Sequence, residues 1–72
     1  MLNEINQILQ DAESTELYPP DFVEKSLKLL NKDIIFKQIG GFTSPGYDIT
    51  CYAIVYVKEG KPIVIPWNHE IY

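Results

Sequence analysis

"YAIVYVKEGKPIVIPW", residues 52–67, decides how this chain folds. Two runs of β-branched and aromatic residues flank Glu59-Gly60, the pattern of two strands joined by a tight turn. Gly60 suits a two-residue loop, although Asn or Asp at position 59 would be a stronger signal than Glu. With Glu59 and Gly60 as the loop, Lys58 and Lys61 form the first hydrogen-bonded pair, and paired positions then alternate. Val57 faces Pro62 and Ala53 faces Pro66, both in pairs whose N–H groups point away from the partner strand. A proline there lacks a donor only on the outer side, which an edge strand tolerates. Residues 62–66 are therefore expected at the sheet edge and residues 47–58 in its middle. The prolines also blunt that edge against further pairing.

The same register sorts the side chains into two sets. Cys51, Ala53, Val55, Val57 and Val64 fall on one face, and Tyr52, Ile54, Tyr56, Ile63, Ile65 and Trp67 on the other. Both faces are apolar. The small, even set would let helices approach closely, so it is expected to be the core. The large set has polar-tipped rings of the kind enriched at protein interfaces. It is expected to be covered by another protein or by a second copy of the chain. The competing reading inverts the two faces and makes the large residues the core.

Upstream, Leu2, Ile5, Ile8, Leu9 and Ala12 recur at spacings of three and four. This predicts a helix over 3–13, with Asn3 as N-cap and Glu4 in the first turn. "ESTELYPP", residues 13–20, ends it, because proline cannot continue a helix. A second helix is expected over 21–31. Asp21 and Glu24 give it a capping-box-like start, or Pro20 takes the first helical position; Asn31 closes it in left-handed geometry. Its apolar positions are Phe22, Val23, Leu27, Leu29 and Leu30. "IIFKQI", residues 34–39, favours a strand, "GGFTSPG", residues 40–46, a loop, and residues 67–72 a tail. The expected fold class is α+β: two N-terminal helices packed on one face of a three-stranded antiparallel meander, with the C-terminal strand at the edge.

Seventy-two residues make one domain. Chains this short bury only about 60% of the surface exposed on unfolding, so the stability margin is thin. Cys51 is the one cysteine, which excludes an intramolecular disulfide. With one histidine it also falls short of a closed zinc site. No apolar run reaches the length of a membrane span, and "MLNEINQILQ" lacks the basic and apolar regions of a signal peptide. A lone thiol without an export signal points to the cytoplasm.

The net charge is −4 and uneven. Residues 1–24 hold six acids and no Lys or Arg, whereas residues 25–72 hold four acids and six lysines. There is no Arg, the usual bidentate reader of phosphate and guanine. Direct nucleic-acid binding is therefore not expected.

Catalytic chemistry has little to work with. Cys51 and His69 are the only nucleophile–base pairing worth weighing, but Cys51 lies mid-strand, where cysteines usually act as small hydrophobes. "GGFTSPG" lacks the Lys and the following helix of a phosphate-binding loop. "YPPDF", residues 18–22, lacks the spacing of a proline-rich ligand. No catalytic residue, metal site, cofactor or small-molecule substrate is expected.

The function expected is a non-catalytic protein-binding module, such as an inhibitor or antagonist that occupies a partner sterically. Phe42, Tyr47, Tyr52, Ile54, Tyr56, Ile63, Ile65 and Trp67 would make the contact, with Phe42 and Tyr47 in or beside an exposed loop. Glu4, Asp11, Glu13 and Glu16 would steer a basic partner. The alternatives are a structural homodimer through sheet stacking and an acidic mimic of nucleic acid.

Overall fold

A computed structural model describes residues 1–71. The element order is α1 (Leu2–Ser14), α2 (Pro19–Leu30), β1 (Ile35–Ser44), β2 (Tyr47–Lys58) and β3 (Lys61–Ile71). The three strands form one antiparallel sheet in the order β1-β2-β3, an α+β arrangement with β3 at one edge and β1 at the other. Two compact units are distinguishable, one covering residues 1–33 and the other beginning at Ile34.

In the helical unit, α1 starts earlier than Asn3 would dictate. Met1 is its N-cap, and the Ile5 N–H donates to the Met1 carbonyl at 3.1 Å. Ile5 and Ala12 are its buried residues. After Thr15, whose Oγ1 accepts from the Leu17 N–H at 3.2 Å, the two prolines open α2 instead of merely separating the helices. Pro19 and Pro20 occupy the first helical positions, where a missing N–H leaves no hydrogen bond unmade. Tyr18 is the N-cap, and its carbonyl accepts from the Phe22 N–H at 3.1 Å. Pro20, Val23 and Leu27 are buried in α2, but Leu29 is 89% exposed. Leu29 follows Leu27 by two positions, which turns it to the far side of a 3.6-residue helix. Asn31 ends α2 with φ −161° and ψ 117°, extended rather than left-handed as expected. Its N–H still reaches the Leu27 carbonyl at 2.9 Å, and its Oδ1 accepts from the Asp33 N–H at 2.9 Å.

The β2–β3 hairpin has the expected register. Lys58 pairs with Lys61, Val57 with Pro62 and Ala53 with Pro66. Glu59 (φ 53°) and Gly60 (φ 78°) are both left-handed, the turn whose twist matches the flanking strands. β3 continues to Ile71 into the segment expected to be a tail, pairing Trp67 with Tyr52, His69 with Thr50 and Ile71 with Asp48, and Tyr72 of that segment lies outside the described residues. The long β2 supplies the partners that make "WNHEI" a strand.

The expected loop over 40–46 is also corrected. β1 runs to Ser44, and only Pro45-Gly46 turns the chain, with Ser44 paired to Tyr47 and Gly46 at φ 97°. The glycines serve the sheet. A β-bulge between Gln38 and Gly40 leaves Ile39 as the extra residue. At Gly41 (φ 150°) an added Cβ would lie 2.5 Å from the Ile49 carbonyl oxygen, so the neighbouring backbone passes where a side chain would be.

The expected division of the sheet faces is reversed. Ile54 is 0% and Tyr56 5% exposed, whereas Val57 is 71% and Val64 59% exposed. Ile34 is also buried. Burial free energy scales with the apolar area removed from water, and isoleucines and rings remove more of it than valines. The bulky face is therefore the core face. Ala53 is buried as expected.

Candidate functional site

Strand pleating places Ile35, Val55 and Val64 in one row across all three strands, because Ile35 pairs with Val55 and Val55 with Val64. Lys37, Ala53 and Pro66 form the next row, and Phe42 and Ile49 lie further along. Val57, with Pro62 opposite, occupies the hairpin end. Ile35, Phe42, Val57 and Val64 are exposed large apolar residues on this one side. Tyr47, Ile49, Cys51 and Val55 are half-buried between them. Phe42 and Tyr47 pack edge to face, with ring centroids 6.0 Å apart and planes at 76°. Phe42 and Tyr47, expected in or beside a loop, thus lie on the paired strands of the β1–β2 hairpin. Exposed apolar side chains gathered on one face mark interaction surfaces more often than scattered ones do.

The opposite face is built differently. Phe36 stacks on Tyr52 at 4.7 Å with an interplanar angle of 7°, and Trp67 lies 5.5 Å from Tyr52 and 6.1 Å from Phe36. His69 continues the row, stacked on Trp67 at 5.9 Å. These rings and Ile63 and Ile65 are half-buried. Ile54 and Tyr56 are buried and present no contact area, which corrects their expected place on an accessible surface. The bulky set therefore does not form a continuous open patch. Phe36 was missed as a member of the ring cluster, because its face depends on a register that only the β1–β2 pairing defines.

Glu4, Asp11, Glu13 and Glu16 are all exposed. The Met1 amino group lies 2.7 Å from Glu4 Oε2 and, mainly by hydrogen bonding, holds that carboxyl below its ordinary range. Asp11 Oδ1 accepts from Gln7 Nε2 at 3.0 Å.

Cys51 and His69 lie on opposite sides of the sheet: Cys51 pairs with Asn68, and His69 pairs with the neighbouring residue Thr50. They are not arranged as nucleophile and base. Among the described residues, no three His, Cys, Asp or Glu side chains gather as metal ligands, and no helix is long and apolar enough to cross a membrane. Comparison with protein-family models, curated proteins and solved structures gives no match to the chain.

Proposed function

We propose that the chain is a small non-catalytic protein-binding module that acts by covering a surface of its partner. The observation that carries this reading is the one-sided exposure of Ile35, Phe42, Val57 and Val64 on a sheet whose other side holds the buried Ile54 and Tyr56. A row of aliphatic residues flanked by the Phe42–Tyr47 pair offers an apolar centre with aromatic anchors, the composition of an interface core. Phe42 and Tyr47 keep their proposed contact role. The open Val57–Val64 side replaces Ile54 and Tyr56 as the contact surface. The exposed acids of the N-terminal half favour a partner with a basic rim, and their contribution falls mainly on the association rate. The lone cysteine fits a reducing compartment, and we place the module in the cytoplasm on that ground.

Affinity capture with matched variants tests the reading. Val64→Glu is expected to lose a partner that wild type retains, with no change in unfolding midpoint. Retention of every captured protein by a folded Val64→Glu variant would remove the open face from the contact.

A further inference from the structure

The two edges of the sheet differ. β3 carries Pro62 and Pro66 at positions whose N–H groups would point outward, whereas β1 contains no proline over its ten residues. Hydrogen-bonded pairs alternate along an antiparallel ladder. The even-numbered residues of β2 exchange bonds with β3, starting from Lys58–Lys61, so the odd-numbered ones serve β1. Their partners are Ile35, Lys37, Gly40, Phe42 and Ser44. That leaves Phe36, Gln38, Gly41 and Thr43 with their backbone N–H and C=O groups directed away from the sheet. The bulge at Ile39 sets the odd spacing between Gln38 and Gly41.

This outward set is symmetric about the Ile39–Gly40 bond. Turned end for end, Phe36 meets Thr43, and Gln38 meets Gly41. An antiparallel copy of β1 in this register matches all four outward positions, and no other register does. Both bulges fall at the centre and face each other, so neither strand runs ahead of the other. Ile39, exposed here, comes opposite Gly40 of the second copy, and nothing lies within 4 Å of the space a Gly40 side chain would fill. Lys37 is the one charged residue of β1. In this register it faces Phe42 of the second copy, which avoids a like-charge pair and sets a cation on a ring.

We infer that the occupant of the β1 edge is a second copy of this chain, paired antiparallel about Ile39–Gly40 to give a continuous six-stranded sheet. The same sides of the two sheets join, so the open face of one copy continues into that of the other. The inference is independent of the docking role of that face. It uses backbone edge groups, and Val64→Glu leaves them intact.

Sedimentation of the full chain at rising concentration is expected to shift from 8.3 kDa towards twice that mass. Thr43→Pro removes one outward N–H and none directed at β2; it is expected to hold the chain at the single mass with an unchanged circular dichroism spectrum. In a Cys51→Ala background, Lys37→Cys mixed with Phe42→Cys is expected to form a disulfide-linked dimer under mild oxidation. Either variant alone is not, because identical positions lie five residues, roughly 16 Å, apart in this register. If Thr43→Pro unfolds the chain, the cross-linking arms decide. A constant single mass for wild type would overturn the inference. So would cross-linking as fast in either single variant as in the mixture, or an edge that takes up only foreign extended peptides.

Discussion

Gly41 illustrates how one missing side chain sets a strand's path. Its φ of 150° and the 2.5 Å approach of the Ile49 carbonyl oxygen to its Cβ position leave no room for alanine. Gly41→Ala is expected to destabilise the chain by about 1–3 kcal/mol, read as a lower denaturant midpoint at constant slope. An unchanged midpoint would mean that the β1–β2 approach is looser than described. Ile54 and Val64 share the sheet but differ in burial, 0% against 59%. Ile54→Ala is expected to cost about 2–5 kcal/mol, while Val64→Ala should stay within about 0.5 kcal/mol of wild type. Equal losses at both positions would contradict the assignment of faces.

At the scale of elements, the β2–β3 hairpin was the most legible part of the sequence. Its two prolines and Glu59-Gly60 constrain hydrogen-bond direction, and direction alone fixes which strand is central. Glu59 nevertheless adopts φ 53°, a left-handed value that Asn tolerates better. Glu59→Asn is expected to stabilise the chain by roughly 0.5–1 kcal/mol, raising Tm by about 4–8 °C per kcal/mol. A fall in Tm would argue against the left-handed turn. The 40–46 segment was illegible for a physical reason. Glycine and proline usually interrupt strands, but here Gly41 admits a neighbouring carbonyl and Pro45-Gly46 alone makes the turn. The β3 extension was hidden similarly, because "WNHEI" has weak strand character of its own and pairs because β2 is long enough to receive it. At α2, the same Pro-Pro step that signals an ending also supplies a beginning.

Across the whole molecule, the sequence separates the two sheet faces correctly but does not reveal which one is core. Both faces are apolar, and alternation orders residues into faces without ranking them. Size decides: isoleucines and rings remove more apolar surface from water than valines, so the bulky face carries the buried Ile54 and Tyr56 while Val57 and Val64 of the smaller one stay exposed. Phe42 is exposed and Tyr47 half-buried on the open face, whereas Ile54 and Tyr56, expected as anchors, are core residues. If the exposed acids of the N-terminal half steer a basic partner, the association rate should fall several-fold between low and physiological salt while dissociation changes little. A salt-independent association rate would remove that role from Glu4, Asp11, Glu13 and Glu16. The identity of the open face is tested most directly by hydroxyl-radical footprinting of the native chain, read residue by residue in a mass spectrometer. Phe42, Val57 and Val64 should label nearly as fast as in the denatured chain, while Ile54 and Tyr56 are strongly protected. Fast labelling of Tyr56 with protection of Val57 and Val64 would contradict the account.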